Sequence, residues 1–298
     1  MKKLILFLGL FALLLYGCQS PSDSSSVLEN SSIEETSSEE ISSEDVSSED
    51  VSSEETSSEA APVEIPEDEP YDLTPLSDEE IANLILPEGY NVADYKDAVF
   101  TKEIIAVSFT EDLHKGAGRV HLVISRDGGV TWEDQSVGGD YLYNNVISFS
   151  SEKNGYLLVE LDYYLGGQSI CNAYATHDGG KTWQEITSPN SVCTWKISDV
   201  LFTSRNIGFS CHGSFSESVP VFCRTTDGGM SWEKVVLETE EMKNRKASYG
   251  HICKAEYKNG IVEFTVEFVD NNAKKESDRI YYSKYVSNDM GQTFEKAE

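Results

Sequence analysis

The chain has 298 residues, with 52 Asp and Glu against 23 Lys and Arg, and its formal net charge is −29. Nucleic-acid binding depends on clustered basic side chains, so this balance argues against a nucleic-acid partner and weakens the case for an anionic ligand. The five histidines and six cysteines follow no metal-ligand spacing and there is no glycine-rich phosphate loop, so we expect neither a metal nor a cofactor.

Residues 1–17 have the pattern of a bacterial export signal. Two lysines precede an apolar run of about a dozen residues, which is too short to remain as a membrane anchor. The run ends in Leu15-Tyr16-Gly17-Cys18, which resembles the lipobox of bacterial lipoproteins. This resemblance implies that Cys18 carries a diacylglycerol and anchors the protein outside the cytoplasm on the membrane. An ordinary cleaved signal peptide is the alternative.

The segment 18–72 is rich in Ser and Glu and repeats the motif SSEEI, SSEDV, SSEDV, SSEET. It contains few apolar residues and no basic ones, so it cannot bury enough surface to offset its chain entropy, and its like charges repel one another. We therefore predict a disordered tether. A role in recruiting cations or a basic partner is the alternative to a simple spacer.

Residues 73–95 form a predicted helical lead-in to the remaining chain. The stretch Ser77 to Leu86 reads SDEEIANLIL, in which Ser77 is suited to cap the helix and acidic residues occupy its first turn.

One octapeptide pattern returns four times in the chain: SRDGGVTW, THDGGKTW, TTDGGMSW and SNDMGQTF. The aspartates of successive copies are 51, 49 and 62 residues apart, and a period near 50 residues is typical of propellers and related arrays. In each unit three segments of β character precede the octapeptide and one follows it, as in 146–150, 155–163, 170–176 and 182–187. The pattern predicts an all-β fold over 96–298, a β-propeller of about four four-stranded blades. A fifth blade from 73–95 or an open array are the alternatives.

The octapeptides resemble the Asp-box, or BNR repeat, family of sialidases, the sortilin ectodomain and photosystem assembly factors. The resemblance implies that each copy is a structural turn, on the face opposite the ligand site, in which Asp accepts backbone hydrogen bonds, Gly takes a positive φ and the aromatic ring packs beneath the hairpin. The residues concerned are Asp127, Gly129, Trp132, Asp178, Gly180, Trp183, Asp227, Gly229, Trp232, Asp289, Gly291 and Phe294.

Five cysteines follow Cys18, and export permits disulfides among them. Cys211 and Cys223 are equidistant from the turn that joins their strands, which suggests one pair. Cys171 and Cys193 both fall toward the rim opposite the Asp boxes and form a second candidate pair. Cys253 is then the thiol left over. The alternative is that all five are reduced and buried.

Several aromatic residues fall on loops of the face opposite the Asp boxes, where they could stack on sugars or grip a peptide. Trp195 stands out because no box explains it, although it could instead plug the contact between blades two and three. The candidate set is Trp195, Tyr141, Tyr143, Tyr163, Tyr164 and His212.

A catalytic constellation is not evident in the sequence. A sialidase needs an arginine cluster and usually an Arg-Ile-Pro element, but the chain has only six arginines and no such element. The sequence therefore favours a non-enzymatic, lipid-anchored surface protein that binds a protein or glycan partner. The alternatives are a glycan-acting, sialidase-like hydrolase with a reduced propeller and an assembly factor for an envelope complex.

Overall fold

The computed structural model describes residues 66–91, 94–110, 119–138, 142–165, 168–194, 196–213 and 219–297. The export signal, Cys18 and most of the predicted tether lie outside these residues. Neither helix in the described part of the chain has the length or apolar character needed to cross a membrane.

Each repeat unit forms one four-stranded antiparallel sheet, a blade, whose strands are hydrogen-bonded in chain order. The described strands are β1 (Asp97–Phe100), β2 (Ile105–Thr110), β3 (Val120–Ser125), β4 (Glu133–Val137), β5 (Leu142–Phe149), β6 (Gly155–Leu165), β7 (Gln168–Thr176), β8 (Gln184–Ile186), β9 (Lys196–Phe202), β10 (Gly208–Gly213), β11 (Val221–Thr225), β12 (Glu233–Val236), β13 (Tyr249–Lys258), β14 (Ile261–Val269), β15 (Ile280–Ser287) and β16 (Glu295–Lys296). This arrangement confirms the predicted all-β, four-bladed propeller.

The first strand of each blade lies innermost. β1 contacts β5, β5 contacts β9 and β9 contacts β13. The turns between first and second strands lie at the same end of the molecule as the Asp boxes, because the Gly179 amide donates to the Lys153 carbonyl at 2.9 Å and the Gly228 amide to the Asn206 carbonyl at 2.9 Å. The Asp boxes and these first turns thus form one face.

Packing on both faces of the sheet explains why β2 is buried at nearly every position. In β2 and the residue before it, Ile104 and Ala106 point into a cluster shared with blade 2, whereas Ile105, Val107 and Phe109 point to the other face of the sheet. Alternate residues of a strand face opposite sides, so a strand covered on both sides is buried at every position. Similar clusters join blade 2 to blade 3 and blade 3 to blade 4.

The outer face of blade 1 is covered by the lead-in rather than by another blade. Leu76, Leu84, Leu86 and Tyr90 pack on the apolar residues of β1 and β2. The helix α1 (Asp78–Ala82) is shorter than predicted, with Ser77 forming the expected capping box with Glu80. The chain leaves the helix before Leu84 because this leucine packs on blade 1.

The remaining face of blade 4 is polar. Alternate residues of β14, from Val262 to Phe268, are buried against blade 3, while Glu263 and Glu267 between them face away. On the next strand Tyr282 is 47% exposed and donates to Glu267 at 2.7 Å. Among the described residues no apolar cluster joins blade 4 to blade 1, so the lead-in takes the place of the fourth interface between blades.

Two further features differ from the sequence-based expectation. Residues 66–72, assigned to the tether, are hydrogen-bonded to the blades, as in Arg205 N to Glu69 O at 2.8 Å. Residues 66–72 therefore belong to the folded chain rather than to the tether. A second short helix, α2 (Glu240–Lys243), lies between blades 3 and 4 and was not expected from the sequence.

Both predicted disulfide pairs are wrong, because the bond joins Cys193 to Cys223. Cys211 pairs in register with Phe222, and Cys223 pairs with Ser210, so the two cysteines point to opposite faces of blade 3. Cys223 reaches the cluster between blades 2 and 3, where Cys193 also lies. Cys171, Cys211 and Cys253 are free thiols.

Candidate functional site

The Asp-box turns are closed by hydrogen bonds within each box. Asp127 accepts from the amides of Val130 at 3.1 Å and Thr131 at 2.8 Å and from the hydroxyls of Ser125 at 2.8 Å and Thr131 at 2.6 Å. These amides lie three and four residues after Asp127 in the chain. These bonds lower the pKa of Asp127 to about 2, the Thr131 hydroxyl contributing most. The same pattern surrounds Asp178, Asp227 and Asp289.

The glycines and aromatic residues of the boxes allow each turn to pack closely against the preceding blade or, for the first box, against the lead-in. Gly180 has a φ of +79°, and a Cβ there would lie 2.5 Å from Ile124 Cδ1 of blade 1. The corresponding positions of Gly129, Gly229 and Gly291 face Leu84, Ile186 and Phe209. Trp132 donates from its indole to the Gly129 carbonyl at 3.1 Å, and Trp232 to the Thr187 carbonyl at 2.8 Å. The glycines and aromatic residues of the boxes therefore have a structural role, in packing against the neighbouring element.

The structure does not assemble the predicted aromatic rim. Tyr141 and Trp195 lie outside the described residues, and only the backbone is described for Tyr143, Tyr163 and Tyr164. His212 is 1% exposed, because its ring lies within blade 3 and its Nε2 is 2.8 Å from Ser210 Oγ. The prediction that His212 is an exposed binding residue is therefore wrong.

One group of possible metal ligands is present among the described residues. Cys193, His212 and Cys223 place one ligand atom each within 4.8 Å of one another, and all three are buried. The two sulfurs are joined in the disulfide and are not thiolates, so we do not assign a metal site there.

A cleft between the innermost strands is the stronger candidate site. Its volume is about 290 Å³, and it is lined by residues of β1, β5, β9 and β13 together with Tyr71 and Pro75 of the N-terminal segment. The rings of Tyr71 and Tyr257 meet edge to face there, with centroids 5.1 Å apart. Three carboxyl groups also line this cleft, those of Asp97, Asp199 and Glu256, and the last of these is paired with Lys254 at 2.9 Å.

Asp97 is held by the backbone of two blades. Its Oδ1 accepts from the Ala98 amide at 2.9 Å, and its Oδ2 accepts from the Ile147 amide of blade 2 at 2.7 Å. Burial raises the pKa of Asp97 to about 6, although these two hydrogen bonds act in the opposite direction.

Asp199 repeats this arrangement two blades further on. Its Oδ1 accepts from the Val200 amide at 2.8 Å, and its Oδ2 accepts from the Ala255 amide of blade 4 at 2.7 Å. Burial, followed by the negative charge of Asp97, raises the pKa of Asp199 to about 7. The two aspartates of the cleft are therefore coupled through the charge of Asp97, which acts on Asp199.

The sequence contains a signal for this pair that the repeat analysis missed. The first strands of units one and three read Asp97-Ala98-Val99-Phe100 and Asp199-Val200-Leu201-Phe202, so an Asp stands three residues before a Phe in both. The equivalent position in unit two is occupied by Val146, which stands three residues before Phe149. An acidic residue at one inner-strand position in alternate blades could have been noticed.

The comparisons with known proteins agree with the repeat and the fold. The BNR/Asp-box repeat model matches residues 174–185, which span the second box. No curated protein has a sequence that matches this chain.

Similar solved structures include three glycoside hydrolases. The GH93 alpha-L-arabinofuranosidase of Fusarium graminearum, in complex with arabinobiose, is 16% identical over 71% of this chain and 67% of that chain, with a TM-score of 0.44. The GH43 endo-arabinanase of Bacillus licheniformis is 13% identical over 68% of this chain and 78% of that chain, with a TM-score of 0.39. The GH62 alpha-L-arabinofuranosidase of Coprinopsis cinerea is 10% identical over 76% of this chain and 74% of that chain, with a TM-score of 0.38.

These findings correct the expectation of a non-enzymatic binding protein. The inner cleft contains the paired carboxyl groups that the sequence analysis did not find. At identities this low the likeness concerns the fold, so the chemistry has to be argued from the chain's own residues. The chain carries BNR/Asp-box repeats on a four-bladed β-propeller.

Proposed function

We propose that the protein is a glycan-acting hydrolase whose acid–base pair is Asp97 and Asp199. The observation that carries this proposal is that two carboxyl groups with raised pKa values line the same open cleft. Titratable groups whose environments shift their pKa values toward neutrality are typical of sites that transfer protons.

Hydrolysis of a glycosidic bond needs two such groups. One carboxylic acid protonates the leaving oxygen, and a carboxylate activates water or attacks the sugar. Asp199 has the higher pKa and is suited to be the acid, while Asp97 has the lower pKa and is suited to be the carboxylate. Because the two groups interact, the pKa values observed in kinetics belong to the pair.

The other residues of the cleft favour a neutral glycan. Tyr71 and Tyr257 supply aromatic surface on which a sugar ring can stack. The only lysine among the described lining residues, Lys254, is paired with Glu256 at 2.9 Å, and none of those residues is an arginine. A sialic acid or uronic acid would find no free basic group to bind its carboxylate.

The proposal is tested by assaying the purified protein on aryl glycosides of neutral pentoses and hexoses. We expect Asp97→Asn and Asp199→Asn each to lower kcat by about 100-fold or more, in the range that loss of a general acid or base produces. Asp278→Asn, the same substitution in an exposed turn, is the matched control and should stay within about 2-fold of wild type. Near-ultraviolet circular dichroism checks folding. Absence of turnover on the whole panel, or full activity of both variants, contradicts the proposal.

A further inference from the structure

The segment 66–76, here called the strap, crosses the propeller at the face that carries the Asp boxes. Pro70 forms a β-bridge with Ser204 in blade 3, and Pro75 forms one with Thr101 in blade 1. Between them, the Asp72 amide donates to the Ser150 carbonyl in blade 2 at 2.9 Å. All three partners belong to turns between first and second strands.

Side chains hold the strap at both ends and in the middle. Glu69 accepts from Asn154 Nδ2 of blade 2 at 3.0 Å and lies 3.4 Å from Arg205 of blade 3. Leu73 is 8% exposed and belongs to the apolar cluster between blades 1 and 2. Tyr71 reaches blade 4 through Tyr257. The strap therefore contacts all four blades.

The strap also forms part of the cleft that contains Asp97 and Asp199. Tyr71 and Pro75 line that cleft from the Asp-box face, next to the ends of β1 and β9. Asp97 is the first residue of β1 and Asp199 the central residue of β9, so each stands three residues before the end of its strand that lies at the strap. The strap is therefore the floor of the cleft, and the carboxyl groups stand above it.

We propose that the strap closes one end of the cleft, so that the site admits the end of a neutral glycan chain and not its middle. This inference rests on the proposed hydrolase function and gives its mode of action, which is the removal of terminal sugars. A volume of about 290 Å³ is at the lower limit for ligand pockets, which suits a short chain end. Tyr71 is a positioning residue in this scheme, because its ring lies where the terminal sugar stops.

The first test follows the early products from linear arabinohexaose, xylohexaose and cellohexaose, each labelled at the reducing end. We expect single sugars or disaccharides to be released while the remainder of the chain shortens stepwise. Early accumulation of products from the middle of the chain would overturn the proposal.

The second test measures binding and does not depend on turnover. The Asp97→Asn/Asp199→Asn double variant is titrated with the same hexaoses in two forms, with free ends and with both terminal rings blocked by bulky acetal and aryl groups. We expect blocking to weaken binding by about 10-fold or more, because a blocked end cannot enter a closed pocket. Equal binding of the two forms, or no binding of any hexaose, would overturn the proposal. If end-dependent binding is found without turnover in the wild type, the hydrolase function fails while the closed pocket stands.

Variants of the strap separate positioning from folding. We expect Tyr71→Ala to raise Kd for the free hexaose about 3- to 10-fold by loss of ring stacking, while Tyr71→Phe stays near wild type. Leu73→Ala, which loosens the strap, should reduce the discrimination against blocked ends. Leu84→Ala is the matched control, because Leu84 packs the lead-in on blade 1 and does not itself line the cleft. If Leu84→Ala alters the discrimination as much as Leu73→Ala does, the strap is not the cause and the proposal fails.

Discussion

Aspartate serves two different purposes in this protein, and the difference lies in the surroundings of the carboxyl group. In the Asp boxes the carboxylate is exposed and accepts bonds from hydroxyls and amides, which lower the pKa of Asp127 and Asp289 to about 2. In the inner cleft, burial raises the pKa of Asp97 to about 6 and that of Asp199 to about 7. The first kind maintains the turns, and the second is able to exchange protons near neutral pH.

These two kinds of aspartate give opposite dependences of stability on pH. The folded-state pKa values of Asp97 and Asp199 lie above the ordinary 3.8, so their contribution is complete below about pH 4 and is lost as the pH rises through 6 and 7. The box aspartates contribute above pH 4, and this is lost as the pH falls through 2. We expect Tm to be highest near pH 4 to 5.

Thermal unfolding of the Asp199→Asn variant across pH 4 to 8 checks this assignment. The amide cannot ionise, so the decline of Tm between pH 5 and 8 should be smaller than in the wild type. A decline of the same size in both proteins would show that Asp199 does not titrate in this range.

Substitutions at two glycines of the Asp boxes distinguish the stability cost of backbone strain from that of a packing clash. Gly128 and Gly180 have φ values of +73° and +79°, but a Cβ at Gly128 meets nothing within 4 Å whereas one at Gly180 meets Ile124. We expect Gly128→Ala to lower the free energy of unfolding by about 1–2 kcal/mol through the left-handed backbone alone. Gly180→Ala should cost more, because Ile124 has to move. Urea denaturation measures both, and equal losses would contradict the contact between blades.

At the residue scale the sequence predicted the boxes well and the inner cleft poorly. Each box is a local motif whose Asp, Gly and Thr meet within a few residues, so its pattern is visible along the chain. Asp97 and Asp199 are 102 residues apart in sequence and line the same cleft only because β1 and β9 are both innermost strands. Their shared Asp-x-x-Phe pattern becomes meaningful once strand order is known.

At the scale of elements, the lead-in replaces an interface that a closed ring of blades would make. Leu84 stands against Gly129 of the first box as Ile124 stands against Gly180 of the second. The sequence indicated a capped helix but not this packing, because the leucines of 84–86 fit a helical pattern as well as a loop that covers blade 1. Tertiary packing ended the helix at Ala82.

Strand register also explains why the predicted Cys211–Cys223 disulfide is wrong. Equal distance from a turn suggested that Cys211 faces Cys223, but the register pairs Cys211 with Phe222. A shift of one residue moves a side chain to the opposite face of its sheet. The sequence does not reveal register when the connecting loop is of unknown geometry.

The disulfide assignment leads to a stability prediction. Cys193→Ser and Cys223→Ser should each lower the free energy of unfolding by about 2–4 kcal/mol, as expected for loss of a bond that closes a loop of 30 residues. Cys253→Ser is the control, since Cys253 is a half-buried free thiol. Peptide mapping after alkylation without reductant identifies the bond, and a Cys171–Cys193 linked peptide would contradict it.

At the scale of the whole molecule, the propeller is expected to be held on a membrane by a long acidic tether. This part of the account rests on the sequence, because Cys18 and the repeats of the tether lie outside the described residues. The structure adds that the strap, which follows the predicted tether in sequence, is bridged to blades 1 and 3. Any attachment through the N-terminus would therefore lead straight into the floor of the cleft.

Membrane attachment is tested by expressing the full chain in bacteria and separating membranes from soluble material. We expect the wild type in the membrane fraction, labelled by a fatty-acid probe, and Cys18→Ala without label and released from the membrane. A wild-type protein that is cleaved but carries no lipid would indicate an ordinary signal peptide.

The pH dependence of kcat/KM on the best neutral glycoside reports directly on the roles of Asp97 and Asp199. If Asp97 and Asp199 are the acid–base pair, the profile is bell-shaped with limbs near pH 6 and 7, and Asp199→Asn loses the limb on the alkaline side together with most of its activity. An unchanged bell-shaped profile in Asp199→Asn, or no turnover in the wild type, would contradict the account.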